Sequence, residues 1–176
     1  MTEPTAVDSA ARQSRAQLIS AVGRRIREPH MSPGSLASLR RGSRSEVVRQ
    51  AAFYAALADV PDDQLSPRMI VRWAAVAQCI ALTGVAGKAD GSDGRILASC
   101  RLSESRFARL LASHGHGLFD QLTLVARLLR SRDARPSWSD LGELALSDEI
   151  NEIRADAVRL RLARDFYRAL TSQSET

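Results

Sequence analysis

Apolar residues recur along most of this chain every three or four positions, which is the period of an amphipathic α-helix. Leu18, Val22 and Ile26 form one such stripe, and residues 118–129 contain another. Ala, Leu and Arg dominate the composition and favour helices, whereas the β-branched and aromatic residues that favour strands are sparse. We therefore predict an all-α protein.

Prolines and capping residues divide this pattern into about nine helices. Pro29 and Pro33 end the first helix. Ser45 is the predicted N-cap of the third helix, and Ser66-Pro67 begins a long fourth helix. The predicted helices span residues 10–27, 34–41, 45–58, 67–83, 95–100, 103–113, 118–130, 138–146 and 149–170.

A glycine-rich segment lies near the middle of the chain. Residues 84–94 read GVAGKADGSDG, with four glycines among 11 residues. This composition is typical of a linker. We predict two small helical bundles, at residues 1–85 and 95–176, joined by a linker at residues 86–94.

The positive charge of the chain comes almost entirely from arginine. Of 25 basic residues, 24 are Arg and only Lys88 is Lys, and the net charge is +5. A guanidinium binds phosphate oxygens through two donors at once and stays charged at any working pH. A genome rich in G and C is an alternative cause of the preference for Arg over Lys, but it does not explain the positive balance. We predict a phosphate-rich partner.

The sequence predicts neither export nor membrane insertion. Residues 1–17 are polar and lack the apolar region of a signal peptide. The longest weakly polar stretch, residues 70–87, contains Arg72 and Gln78 and is too short and too rich in Ala to span a bilayer. We therefore expect a cytoplasmic protein without a membrane partner.

Two pairs of arginines have the same spacing on consecutive predicted helices. Arg106 and Arg109 lie three residues apart on one helix face, and the opposite, apolar side contains Phe107, Leu110 and Leu111. Arg127 and Arg130 repeat the three-residue spacing on the next helix. Antiparallel packing of the two helices would place both pairs on one strip. Ordinary solvent-exposed arginines are an equal alternative. We predict that these four residues bind nucleic-acid backbone.

Arg40 and Arg41 end a short predicted helix. A cation at this end interacts favourably with the helix dipole, which is a sufficient structural reason for one of them. It hardly explains both of them together with Arg44, so we add Arg40 and Arg41 to the predicted nucleic-acid-binding residues.

The arginines of the last predicted helix are a separate group. They alternate with Asp156 and Asp165, and we expect ion pairs within that helix rather than contacts with nucleic acid. The group comprises Arg154, Arg159, Arg161, Arg164 and Arg168.

No catalytic or metal-binding constellation is visible. His114 and His116 lie in a predicted glycine-flanked turn without a third ligand nearby. Cys79 and Cys100 lie in apolar helical contexts and are expected to be buried rather than paired. The Gly84–Lys88 segment has the wrong spacing for the phosphate-binding loop of nucleotide-binding enzymes. We predict a protein that is not an enzyme and that has no metal and no cofactor.

Several short motifs occur in an order that resembles a known family. They are Gly34-x-Leu36-Ala37-x-Leu39-Arg40-Arg41-Gly42, Ala52-Phe53-Tyr54, Arg106-Phe107-x-Arg109-Leu110-Leu111, Leu124-x-x-Arg127-Leu128-Leu129, Trp138-Ser139-Asp140-Leu141 and Ala163-Arg164-Asp165-Phe166-Tyr167. Their order and spacing over about residues 20–170 resemble the CasB family, the small subunit of the type I-E CRISPR surveillance complex called Cascade.

The resemblance implies a non-catalytic, all-α subunit of two helical bundles that acts in antiviral defence. It implies that two copies pack head to tail along the complex, next to its backbone and large subunits. The implied ligands are the guide RNA and the target and displaced DNA strands, with a basic groove that stabilises the open R-loop. The positions that match basic residues of the family are Arg41, Arg68, Lys88, Arg106, Arg109 and Arg127.

Two other functions are alternatives. A helical DNA-binding regulator would need polar base-reading side chains on a recognition helix, and the nearest candidate, residues 103–111, offers only Arg. An Arg-rich helical scaffold without nucleic-acid binding would show no affinity for DNA or RNA at low salt.

Overall fold

A computed structural model describes residues 6–27, 31–84 and 91–174 of the chain. These residues form ten α-helices and one short 3-10 helix, Asp62–Gln64, and contain no strand. The predicted all-α class is confirmed. The α-helices are α1 (Ala6–Ile26), α2 (Pro33–Arg41), α3 (Arg44–Val47), α4 (Ala51–Ala56), α5 (Pro67–Thr83), α6 (Asp93–Ser99), α7 (Glu104–Ala112), α8 (Gly115–Ser131), α9 (Ser139–Ser147) and α10 (Glu152–Ser174).

The central element is α5, which is buried along most of its length. From Arg72 to Thr83, each residue has an exposed fraction of 9% or less. A helix that is buried on all sides must allow its neighbours to approach closely, and the four alanines of this stretch do so. Helices α1, α2, α3, α4, α8 and α9 all contact α5.

Helices from both halves of the chain share the resulting core. Helices α8 and α9 follow the glycine-rich segment, yet they pack on α5, and α9 also packs on α1. The indole nitrogen of Trp138 donates to the Thr83 hydroxyl at the end of α5, 3.3 Å away. The predicted two-bundle arrangement is therefore not confirmed. Residues 86–90 of the predicted linker lie outside the described residues, so its boundaries stay a prediction.

The break between α3 and α4 contradicts the single helix predicted over residues 45–58. Gln50 is extended, with φ −91° and ψ 135°, and its side chain is hydrogen-bonded to Ser38 of α2. The N-cap of α3 is Ser43 rather than Ser45. The Ser43 backbone N–H donates to Glu46 in a capping box, which satisfies donors at the helix start. The tertiary contact from Gln50 thus overrides the local helical pattern.

The start of α8 also differs from the sequence prediction. The sequence predicts a turn from His114 to Gly117, whereas α8 begins at Gly115, with His114 as its N-cap residue. Gly115 has φ 52° and its N–H donates to the Asp148 carboxylate, 2.7 Å away. A carboxylate from a distant part of the chain therefore caps this helix.

Asp93 is a fully buried carboxylate at the start of α6. Its oxygens accept from the Ser137 hydroxyl and from the backbone N–H groups of residues 137, 138, 140 and 141, at 2.9–3.2 Å. These donors surround the start of α9, where Trp138 has φ 60°. Asp93 therefore joins α6 to α9 and satisfies N–H groups that have no partner within the helix.

Replacing Asp93 with Asn should destabilise the protein. The amide has one acceptor oxygen, and its NH₂ group would face buried N–H donors that then lose their acceptor. We expect a loss of about 2 kcal/mol in the free energy of unfolding, or roughly 4–8 °C in Tm. Asp133→Asn is the matched control, since Asp133 is exposed and Asn tolerates its φ of 50°. Equal melting temperatures for the two variants would contradict this assignment.

Candidate nucleic-acid interface

Arg40 and Arg130 meet at the C-terminal end of α5. Nε of Arg40 donates to the carbonyl oxygen of Ala81 at 2.6 Å, and Nη1 of Arg130 reaches that of Leu82 at 3.5 Å. The last carbonyls of a helix lack intrahelical partners and form the negative end of its dipole. Gly84 ends α5 with φ 70°, and Nη2 of Arg40 would lie 3.4 Å from a Cβ at that position. The two guanidiniums therefore cap one helix from different parts of the chain.

The charges of Arg40 and Arg130 are close enough to affect each other. Burial lowers the pKa of Arg40 from its usual value, and the positive charge of Arg130 lowers it further. Within the described residues, neither side chain forms an ion pair with a carboxylate. The carbonyl dipoles offset only part of two full positive charges. Among the described residues, most N–H groups of the two guanidiniums have no protein acceptor. Such a site is suited to a phosphate group.

Arg127 and Arg41 are neighbours of this pair in the sequence. Arg127 is exposed and precedes Arg130 by three residues on α8, which places it on the same side of the helix. Arg41 is exposed at the end of α2, where it lines a shallow groove together with Glu46 and Arg49. Arg127 therefore lies one turn from Arg130, whereas a shared surface of Arg41 with this pair stays a prediction.

Arg68 lies at the other end of α5. Its Nη2 donates to the carbonyl oxygen of Glu149, 2.6 Å away. Thirteen residues separate Arg68 from Ala81, so the two ends are about 20 Å apart along the helix. Arg68 is therefore not part of the group around Arg40 and Arg130.

Arg106 and Arg109 are exposed on α7, whereas Phe107 and Leu110 are buried. The Phe107 ring stacks on that of Phe166 in α10, with 3.9 Å between the ring centroids. The predicted two-sided helix is thus confirmed. Within the described part of the chain, no contact joins these arginines to those of α8, so the shared strip stays a prediction. Lys88 lies outside the described residues.

A comparison with protein-family models identifies the family of this chain. The model of the family described as CRISPR-associated protein Cse2 matches residues 35–167, which is most of the chain. The chain belongs to the Cse2 family. Cse2 is the CasB small subunit of the type I-E Cascade complex, so the resemblance found in the sequence is confirmed. Comparisons with curated proteins and with solved structures gave no significant match.

Every predicted binding residue except Lys88 lies both in the region matched by the Cse2 family and in the described part of the chain. No helix of that part is long and apolar enough to cross a membrane. No three of its His, Cys, Asp or Glu side chains converge as metal ligands. Cys79 and Cys100 are free and buried, as predicted, and burial raises the pKa of the Cys79 thiol to about 12.

Arg44 of this Cse2-family chain has a carboxylate partner, unlike the predicted binding arginines within the described residues. Its Nη2 lies 2.8 Å from a carboxylate oxygen of Asp120, and its guanidinium lies over the Phe119 ring. Arg72 lies over the same ring, is buried, and donates to the carbonyl oxygen of Ala145. Sequence reasoning missed both roles, because the hydrogen-bond acceptors Asp120 and Ala145 lie more than 70 residues away from Arg44 and Arg72.

Most ion pairs of α10 run to α9 and to its C-cap residue Asp148 rather than along α10 itself. Arg154 pairs with the buried Glu143, and Arg161 pairs with Asp140 at 2.7 Å. The expectation of intrahelical pairs holds for Arg159 with Asp156, at 3.4 Å, and for Arg164 with Asp165, at 3.2 Å. Because acidic side chains of α9 face α10, they neutralise arginines that the sequence pattern assigned to local pairs.

Asp148 joins the turn before α8 to α10. It accepts from Nη2 of Arg159 at 2.6 Å, from the Gly115 N–H at 2.7 Å, and lies 2.8 Å from Nδ1 of His114. Burial opposes ionisation, but these groups together hold the pKa of Asp148 below its usual value. Arg159 also donates to the carbonyl oxygens of Leu111 and Ser113 at the end of α7.

The lowered pKa of Asp148 predicts a loss of stability in acid. A carboxyl group that ionises more readily in the folded state stabilises the protein above its unfolded pKa of about 4. That contribution disappears as the pH falls through the folded pKa. Asp148→Asn should therefore melt below the wild type at pH 7, with a gap that closes toward pH 3. Asp62→Asn, at an exposed carboxylate, is the control. A gap that does not change with pH would contradict the assignment.

Proposed function

We propose that this chain is a non-catalytic Cascade subunit that binds nucleic-acid backbone through a basic helical surface. The observation that supports this most is the Arg40–Arg130 pair. Two guanidiniums from helices 90 residues apart lie together beside α5, without a carboxylate partner in the described residues. Like charges repel, and an anionic ligand between them would turn this repulsion into attraction.

The proposed role is to stabilise the guide–target R-loop and the displaced DNA strand. Exchange of a DNA duplex for a guide–target hybrid is nearly balanced in free energy, so contacts to the backbone decide its direction. Arginines at the end of α5 would hold phosphates regardless of base sequence. The large aromatic side chains are mostly buried in the core, and only Tyr54 and Tyr167 are exposed among the described ones. This favours phosphate contacts over base stacking.

The proposed partners are the guide RNA, the target and displaced DNA strands, and the backbone and large subunits of Cascade. A second copy packed head to tail is also part of the proposal. The proposed location is the cytoplasm, where guide and target meet. Sequence selection would come from base pairing, and the chain would neither make nor break a bond.

Removal of the positive charges of Arg40 and Arg130 should weaken binding to single-stranded DNA. In Arg40→Gln/Arg130→Gln, each amide still donates hydrogen bonds but has no charge. We expect the slope of log K against log salt to fall by about 1.4, for two lost phosphate contacts. The matched control is Arg24→Gln/Arg25→Gln, which removes the same net charge from α1, where Arg25 is paired with Asp59. Fluorescence anisotropy over a salt series measures both.

An equal loss of affinity for single-stranded DNA in the two double variants would contradict a local binding site. It would indicate a general effect of net charge. No affinity of the wild type at low salt would favour the scaffold alternative. A sequence-selective footprint would favour the regulator alternative. Circular dichroism and Tm, measured on each variant, separate lost binding from lost folding.

Arg106 and Arg127 test the wider basic surface. Their joint replacement by Ala should weaken binding to two unrelated DNA sequences by the same factor, because phosphate contacts do not depend on base identity. The salt slope should fall by about 1 to 2. Arg95→Ala/Arg135→Ala removes two exposed arginines outside the predicted set and is the control. Loss of binding to one sequence only would contradict the backbone contacts.

A further inference from the structure

An apolar stripe lies on the outer face of α10. Ile153, Leu160 and Tyr167 are 84%, 72% and 44% exposed. They are spaced seven residues apart, so each lies within about 20° of the next around the helix axis. The stripe is about 21 Å long at 1.5 Å per residue. A large apolar stripe in contact with solvent is typical of an interaction surface.

This stripe lies opposite the core-facing side of α10. The core side comprises Ala155, Val158, Leu162 and Phe166, all buried where α10 packs on α6 and α9. A helix of the protein surface needs only one apolar face. The second face is therefore not explained by the packing of this chain in its described part.

Charged residues flank the stripe symmetrically about Leu160. Asp156 lies four residues before it and Arg164 four residues after it, with side chains 71% and 54% exposed. Ile153 and Tyr167 lie seven residues before and after it. On each side of Leu160, a charged side chain is thus followed by an apolar one. The charge is negative on the N-terminal side and positive on the C-terminal side.

We propose that this face of α10 pairs with the same face of a second copy, antiparallel, about a two-fold axis at Leu160. In that register each Asp156 lies level with Arg164 of the other copy, and each Ile153 lies level with Tyr167. A parallel pairing would instead put Asp156 beside Asp156 and Arg164 beside Arg164. The charge pattern of α10 is therefore complementary to itself. It favours a second copy as the partner and an antiparallel direction of the two helices.

The α10 pairing is separate from both nucleic-acid binding and the head-to-tail contact of the proposed function. A two-fold contact uses the same patch on both copies and closes at a dimer, whereas a head-to-tail contact uses two different patches. One helix per copy gives a small interface, so we expect a dissociation constant of roughly micromolar size. In the existing pairs with Arg159 and Asp165, the Asp156 and Arg164 side chains are themselves largely exposed and lie 3.4 and 3.2 Å from their partners, so exchanging these pairs costs little.

Cysteine cross-linking tests the axis. The two native cysteines are buried, so a new surface cysteine reacts alone. Leu160→Cys places two thiols next to each other at the axis and should form a disulfide-linked dimer under mild oxidation. Ile153→Cys is more exposed, but its two copies would lie about 21 Å apart and should not link. A mixture of Ile153→Cys and Tyr167→Cys should link.

Leu124→Cys is the control for random collision, since Leu124 is 55% exposed on α8. The proposal predicts fast linking for Leu160→Cys and for the mixture, and slow linking for the other variants. Linking of Ile153→Cys or Leu124→Cys at the rate of Leu160→Cys would overturn it. Absence of linking at Leu160 would overturn it as well.

Sedimentation of the uncross-linked chain tests the contacts. The wild type should change from monomer to dimer with concentration, and Leu160→Glu should raise the dissociation constant at least tenfold. Leu124→Glu should leave it unchanged. Asp156→Arg should weaken the dimer, and Asp156→Arg/Arg164→Asp should restore it. A monomer at all concentrations, open-ended oligomers, or no rescue in the double variant would each overturn the proposal.

Discussion

The end of α5 is the constraint on which the rest of the structure depends. Helix α5 is buried on nearly all sides, so its last carbonyl groups cannot all rely on water. Arg40 and Arg130 supply donors to Ala81 and Leu82, and they come from helices on opposite sides of the glycine-rich segment. The same contacts that end the central helix therefore hold two positive charges side by side. In this way a requirement of folding creates the most distinctive electrostatic feature of the chain.

Carboxylates divide the arginines into two groups. The acidic residues of α9 and its C-cap are buried against α10, and they neutralise Arg154, Arg159 and Arg161. Those side chains connect helices. The arginines of α2, α7 and α8 named as binding residues have no carboxylate partner in the described residues. A count of basic residues in the sequence does not distinguish these two groups of arginines. The presence or absence of a carboxylate partner in the structure does distinguish them.

The sequence predicted what depends on local pattern. The 3.6-residue period gave most helices, and the two faces of α7 followed from Phe107 and Leu110. Prediction from the sequence failed where a side chain from a distant part of the chain determines the local structure. Gln50 is held by Ser38 and breaks a predicted helix, Asp148 caps α8 in a predicted turn, and Asp93 is buried in a predicted linker.

The sequence predicts individual residues of the candidate site but not which of them lie together. Arg40 and Arg130 were both named from the sequence, but their meeting at α5 depends on tertiary packing that no spacing rule encodes. Conversely, Arg68 was named with them and lies at the far end of α5. The order of short motifs was more informative about family than any single motif, because each one alone is compatible with many helical proteins.

Nitrogen-15 NMR of the arginine side chains tests the central claim most directly. Titration with a short single-stranded DNA should shift the Nε–H resonances of Arg40 and Arg130 together, with one dissociation constant, while those of Arg154 and Arg159 stay in place. Shifts that leave Arg40 and Arg130 unchanged, or that occur equally at all arginines, would contradict a phosphate site at the end of α5.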